Sequence, residues 1–185
     1  MEMNEFIDQI TQDEAYFDPD ANEMTMVPEG VYPAHVTSLN VKEDVVVKRK
    51  WLSDIYVPSF TIANESNDAA GMRVNDSNYG QGVFRFKKPD PSSGLEDRQG
   101  AGNSGYKALL DALEIKAEEH QAEDGRKLYK LPRLVEEDIV GLPVLIKVFH
   151  QKYQSSGEER VSVKAAIESG WTEGQKIEVE DDLPF

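Results

Sequence analysis

The chain contains no cysteine. A disulfide framework, a thiolate metal site and a cysteine nucleophile are therefore excluded. Long apolar runs are missing too. No stretch approaches the roughly 18 consecutive apolar residues that a membrane-spanning helix needs. The opening segment, MEMNEFIDQI, has neither the basic region nor the apolar stretch of a signal peptide. A cytoplasmic protein with no membrane partner is the expectation. Histidine is scarce: His35, His120 and His150 are dispersed and form no metal-ligand spacing. No G-x-S-x-G and no nucleophile–base set is present. The chain is expected not to be an enzyme and to carry no cofactor or metal.

Base is absent where acid is densest. The net charge is −15 over 185 residues, but residues 1–30 hold nine acids and no Lys or Arg. Residues 173–185 hold five acids and only Lys176, whereas residues 31–172 carry 21 acids against 19 bases. Acid therefore sits at two ends around a nearly neutral middle, the pattern of acidic arms on a domain with its own charge distribution. A hydrophobic content of 39% fits a compact core with polar extensions better than a core filling the whole chain. The expected division is an acidic arm over 1–27, a folded domain over 28–169 and an acidic tail over 170–185.

Strand patterns occupy 31–41, 55–63 and 82–88, with a β-branched and then basic stretch over 45–51 and with Pro33 and Pro58 marking edges or bends. In GVFRFKK, Phe84 and Phe86 alternate with Arg85 and Lys87. A loop rich in Gly, Pro and Ser follows over 89–105. Tyr106, Leu109, Leu110, Leu113 and Ala117 then fall at helical spacing, predicting a helix over 106–120. VLIKVFHQKY and RVSVKAAI predict a closing strand pair around QSSGEE. Three strand regions, a helix and two strands is the order of an OB-fold, a five-stranded Greek-key barrel with one helix between strands 3 and 4. The expected class is mainly β, a single OB-fold with acidic terminal arms.

Two motifs fail on context. GAGNSG (100–105) matches G-x-G-x-x-G, but a polar loop rather than a strand precedes it, so no βαβ dinucleotide site is expected. DPDANEMTMVPE places Asp18, Asp20, Asn22 and Glu29 at calcium-loop positions, but Glu23 replaces the glycine that such a loop turns on.

The chemistry-bearing pattern is base mixed with aromatic. On the last two strands Val144, Ile146 and Val148 form a core face, leaving Lys147, Phe149, Tyr153, Arg160 and Lys164 on the other. Lys48, Arg49, Lys50 and Trp51 form a second group, and Arg85, Lys87 and Lys88 a third. Cations that follow phosphates and rings that stack bases suit single-stranded nucleic acid, each stacked base contributing about 1–3 kcal/mol. A solvated strand face with a satellite aromatic cluster has the same pattern. Which rings face a groove stays open, because a one-residue register change exchanges faces; Phe84 is core or platform.

The tip DDLPF resembles the C-terminal tip of bacterial single-stranded DNA-binding proteins, which is acidic and closes on Pro-Phe. The layout from PEGVYPAHV through YKALLDALEI to GLPVLIKVFHQKY, over residues 28–168, is similar to phage-type single-stranded DNA-binding proteins. The long N-terminal arm and short tail depart from the bacterial pattern, so a phage or other viral replication protein in the host cytoplasm is the closer resemblance. It implies non-catalytic coating of single strands in replication, recombination or repair. It further implies that Asp181, Asp182, Leu183, Pro184 and Phe185 recruit partner proteins. The contacts expected for the strand are Lys48, Arg49, Lys50, Trp51, Arg85, Lys87, Lys147, Phe149, Tyr153, Arg160 and Lys164. The competing expectations are an acidic DNA-mimicking protein that occupies a partner's basic site, and a metal-dependent nuclease. Neither an RNA preference nor an oligomeric state follows from the sequence.

Overall fold

A computed structural model describes residues 26–63, 69–75, 82–171 and 174–179. The expected N-terminal arm, apart from Met26 and Val27, and the tip residues Asp181, Asp182, Leu183, Pro184 and Phe185 lie outside the described residues. The fold is mainly β. Its principal elements are β1 (Gly30–Val47), β2 (Trp51–Ile62), β3 (Arg73–Asn75), β4 (Val83–Phe86), β7 (Pro143–Ser155) and β8 (Glu158–Gly170). Helices α1 (Gln99–Gly102), α2 (Ser104–Ala112) and α3 (Glu136–Ile139) and the hairpin β5 (Glu118–Gln121) and β6 (Lys127–Lys130) fill the stretch between β4 and β7. No helix among the described residues is long and apolar enough to cross a membrane.

The main sheet is antiparallel, in the order β3-β2-β1-β7-β8, with β4 also paired to β2. It curls until β3 and β8 approach each other, but no ladder joins them among the described residues, so the barrel is not closed. β1 runs through the first expected strand and on into the β-branched start of the 45–51 stretch, ending at Val47. Register shifts between Val36 and Ser38 and between Lys42 and Val45 let this 18-residue strand bend around the core. Pro58 sits where its missing N–H costs nothing. β4 takes the far edge of β2 at Ser53–Tyr56 and β3 takes it at Ser59–Thr61; Pro58 falls between the two.

The core lies inside the curl. Tyr32, Ala34 and Val36 of β1, Tyr56, Phe60 and Ile62 of β2, and Val144, Ile146 and Val148 of β7 are all buried. Tyr106, Leu109 and Leu110 of α2 plug the opening between β4 and β8. The helix is docked by its own polar groups. The Asn103 side chain behaves like a neighbouring strand: its Oδ1 accepts from Phe86 N at 2.6 Å and its Nδ2 donates to Phe86 O at 3.0 Å. The fully buried Tyr106 hydroxyl donates to Pro132 O at 2.7 Å and accepts from Leu134 N at 3.1 Å. Burial, with Tyr56 alongside, pushes that phenol far above its ordinary value, so it stays a neutral donor.

The helix ends earlier than its periodicity predicts, at Ala112 rather than near residue 120. Ile115 N donates to Leu110 O at 2.9 Å and Glu114 N to Asp111 O at 3.1 Å, with Glu114 at φ 58°. These are the two bonds and the left-handed residue of a Schellman stop. The chain then leaves to form the β5–β6 hairpin, every strand residue of which is exposed. Glutamate is strained in that conformation and glycine is not. Glu114→Gly is expected to stabilise the fold by about 0.5–1 kcal/mol, seen as a higher urea midpoint at unchanged slope.

Candidate nucleic-acid interface

The β1–β2 hairpin carries its cations at a strained tip. Lys48 and Arg49 have φ of 50° and 58°, and Lys50 N donates to Val47 O at 3.0 Å. Such turns favour Asn-Gly, so two long cations here cost stability. Lys48, Arg49 and Lys50 are all exposed and have no ion pair among the described residues. Trp51 opens β2 immediately after them.

Trp51 belongs to the outer face of the sheet. The register places Phe86 opposite Ser53 and Phe84 opposite Ile55, so both rings share the Trp51 side. Phe84, half-buried, therefore lies on the outer face of the sheet rather than in the core. Its ring stacks on Phe86 at 5.7 Å and 17°, and Phe86 meets Trp51 edge-on at 6.3 Å. Three cations surround the indole: Arg98 at 4.2 Å from the ring centroid, Lys50 at 5.9 Å and Lys48 at 6.0 Å. Arg98 also lies 5.4 Å from Phe86. Its loop is tied to the hairpin by Glu96 N, which donates to Lys50 O at 2.8 Å. Gly102 makes room for it, since a Cβ there would stand 2.7 Å from Arg98 Cγ. Ring quadrupoles attract these cations, but the like charges repel one another, and an anion would relieve that repulsion.

Arg85 and Lys87 point to the other side of β4, and their charges are already engaged. Asp54 is fully buried, and Arg85 Nη1 donates to its Oδ2 at 3.3 Å. Lys87 Nζ pairs with Asp54 Oδ1 at 2.8 Å and with Asp44 Oδ1 at 2.5 Å. Arg85 Nη2 further donates to Leu131 O at 2.9 Å, and Asp44 N donates to Asp54 Oδ1 at 3.1 Å. Burial alone would raise the Asp54 carboxyl; the Lys87 hydrogen bond, the Asp44 amide and the two positive charges outweigh it and hold it below its ordinary value. Burial likewise opposes the Lys87 ammonium, yet its bonds to Asp44 and Asp54 hold its pKa above the usual lysine value.

Above this internal clamp lies a groove of about 800 Å³ between β4, α1–α2 and β6. Arg85, Lys87 and Lys88 form one wall, Lys107 the floor from α2, and Lys127, Lys130 and Arg133 the other wall. Phe86 and Tyr129 also line it, and no carboxylate does among the described residues. Lys107 Nζ lies 5.1 Å over the half-exposed Tyr129 ring. Lys88 and Lys130 are exposed and without an ion pair among the described residues, whereas Lys107 pairs with Asp111 at 2.5 Å, Lys127 with Glu119 at 3.0 Å and Arg133 with Glu43 at 3.5 Å.

The β7–β8 group stands elsewhere. Phe149 faces Lys164 and Tyr153 faces Arg160 across the ladder, and Lys147 follows on the same face. β1 pairs with β7 only as far as Val148, so the hairpin beyond it is a two-stranded arm. Glu29 Oε1 accepts from His150 N at 2.7 Å, and His150 Nε2 donates to Val27 O at 2.7 Å, bracing its root. Lys147 pairs with Val31 and Trp51 with Val47, at opposite ends of β1. The expected contact residues therefore form two separate patches rather than one. Sequence reasoning passed over Arg98, Lys107, Lys127, Tyr129, Lys130 and Arg133. The stretch GRKLYKLPR (125–133), with four bases around one tyrosine, was the available signal.

The tail root is held at the far end from Trp51. Trp171 meets His35 edge-on at 5.2 Å, His35 Nε2 donates to Gln175 O at 3.0 Å, and Ile177 N donates to Gly141 O at 3.0 Å. No protein-family model matches the sequence, and no curated protein matches it.

The clamp gives a testable prediction. Asp54→Asn is expected to cost about 2–4 kcal/mol, because it leaves two partly buried cations short of a counter-charge. A folded-state pKa below the unfolded value of about 3.9 means that the Asp54 contribution is complete above that pH and is lost as pH falls through the folded value. The stability gap between wild type and variant in urea titrations should therefore shrink below about pH 4.

Proposed function

We propose that this protein binds single-stranded DNA without sequence preference and without catalysis, as an OB-fold coat for exposed strands. The strand order supports the fold reading. β1, β2, the β3/β4 pair, β7 and β8 correspond to the five barrel strands, α2 lies between the third and fourth, and the approach of β3 to β8 is the seam that an OB barrel closes. The observation that carries the functional reading is the convergence of Lys48, Lys50 and Arg98 on Trp51. Rings offer a π-face to any base, and unpaired cations offer charge to any phosphate, which is the chemistry of sequence-tolerant single-strand binding. The strained Lys48–Arg49 turn adds support, because strain retained at an exposed tip is a mark of a working surface. The acidic tip, Asp181 to Phe185, is the proposed ligand for partner proteins in replication, recombination or repair. Its aromatic end suits an apolar pocket and its carboxylates a basic rim.

Oligo-dT binding is expected to weaken steeply with salt and to exceed duplex binding at every salt concentration, with RNA as the third arm of the comparison. In a Trp171→Phe background the remaining indole, Trp51, should be quenched on binding. Lys48→Asn combined with Arg49→Gly should stabilise the hairpin by about 1 kcal/mol yet lower oligo-dT affinity at least tenfold. Equal affinity for duplex, or no binding at low salt, would sink the proposal.

Deleting residues 178–185 should preserve or strengthen oligo-dT binding and abolish capture of partner proteins. A truncation that weakens DNA binding would instead assign the tail to the DNA site or to the fold.

A further inference from the structure

We infer that the groove between β4, α2 and the β5–β6 hairpin is a second segment of the binding track, a phosphate rail that extends the strand beyond the Trp51 platform. This inference rests on the single-strand reading above. Phe86 joins the two segments: its ring carries Arg98 and meets Trp51 on the platform, and it also lines the groove. From there Lys88 and Lys130 both line the groove, exposed and unpaired among the described residues. Tyr129, half-exposed with Lys107 against its ring, supplies a second aromatic surface farther along.

Three features point to a nucleic-acid strand. Seven cations line one concavity with no carboxylate among the described lining residues, in a chain of net charge −15. Five of the seven are paired with carboxylates outside the lining, Arg85 and Lys87 with Asp54, Lys107 with Asp111, Lys127 with Glu119 and Arg133 with Glu43, so Lys88 and Lys130 are the charges left for a polyanion to neutralise. The half-exposed Tyr129 ring stands among the cations, a surface that a strand with bases can use and an acidic peptide cannot. β6 supplies Lys127, Leu128, Tyr129 and Lys130 to the lining, yet all eight strand residues of its hairpin are exposed. A lone two-stranded hairpin gains little stability by itself, so its placement beside the groove is best accounted for by contact with a ligand.

The test uses the full chain and two oligonucleotides, a short oligo-dT of about six nucleotides that the platform alone can hold and a long one of about twenty. Lys88→Ala combined with Lys130→Ala should lower affinity for the long oligonucleotide about tenfold near physiological salt. It should also reduce the slope of log K against log salt by about 1.4, because each of the two phosphates left without its lysine takes about 0.7 from that slope. Short-oligonucleotide binding should hardly change. Tyr129→Ala should weaken the long oligonucleotide alone, by about tenfold, with little change in salt slope. Lys152→Ala combined with Lys176→Ala removes two charges elsewhere and should change neither oligonucleotide beyond a uniform small effect. The rail is overturned if the Lys88/Lys130 variant binds the long oligonucleotide like the wild type. Equal weakening of both lengths overturns it as well, because the groove then adds no length of its own. If an acidic peptide, poly-glutamate, binds the groove while oligonucleotide affinity is insensitive to Lys88 and Lys130, the site belongs to a protein ligand and the rail is wrong. If the unmodified chain binds no oligonucleotide at low salt, the parent reading fails and the rail fails with it.

Discussion

A single buried carboxylate organises the working end of this molecule. Asp54 sits on the core side of β2 with no exposed surface, and its two oxygens are met by Arg85, Lys87 and the Asp44 amide. Those partners come from β4, from the residue after it and from the bulge in β1. An ionised carboxylate in that position is tolerable only with all of these partners in place. The carboxylate thereby fixes the bend of β1, the seat of β4 and, through the Arg85 bond to Leu131, the segment that follows β6. Phe84 and Phe86 then have no freedom about which way to face. With Arg85 and Lys87 drawn to the core side, the alternation of the strand puts both rings on the Trp51 face, where Phe84 is half-buried and Phe86 is buried beneath its neighbours.

The same arrangement resolves an apparent contradiction in charge. A chain of net −15 is an unpromising ligand for a polyanion. Screening limits the reach of exposed charge to about 8 Å at physiological salt, so binding responds to the charges that line a surface and not to the sum over the chain. Around Trp51 and in the adjoining groove those charges are cationic, and several have no carboxylate partner among the described residues. Arg85 and Lys87 contribute differently from Lys88 and Lys130. The first pair holds the architecture and presents only a neutralised rim, while the second is exposed and free to respond to a ligand.

How much of this was legible in the sequence varies by element. The β7–β8 ladder was legible because apolar residues alternate cleanly from Val144 to Val148 and again from Val161 to Ile167, and the Ser156–Gly157 turn supplies the positive φ that a two-residue hairpin requires. The start of α2 was legible and its end was not. Ala117 continued the helical spacing, but the stop was set by backbone bonds around Glu114, a residue type that does not advertise a left-handed conformation. The base–aromatic character of 48–51 and 147–164 was also visible, but its grouping was misleading. Strand alternation assigns a face without saying how far apart two such faces lie along a long strand.

The sequence by itself determined that the last two strands pair as a hairpin, where acid and base are segregated, and that Lys48 to Trp51 form a basic and aromatic tip. These are local properties, set by side-chain period and composition within a few residues. Only the tertiary structure decided that Arg98 covers Trp51, that Arg85 and Lys87 turn inward to Asp54, and that Lys88, Lys107 and Lys130 share one groove. Those neighbours are separated by tens of residues, and they meet because the curl of β1 and the seat of α2 on β4 bring them together. Contact between distant residues is a consequence of packing, and no period or composition in one segment encodes where another will be placed.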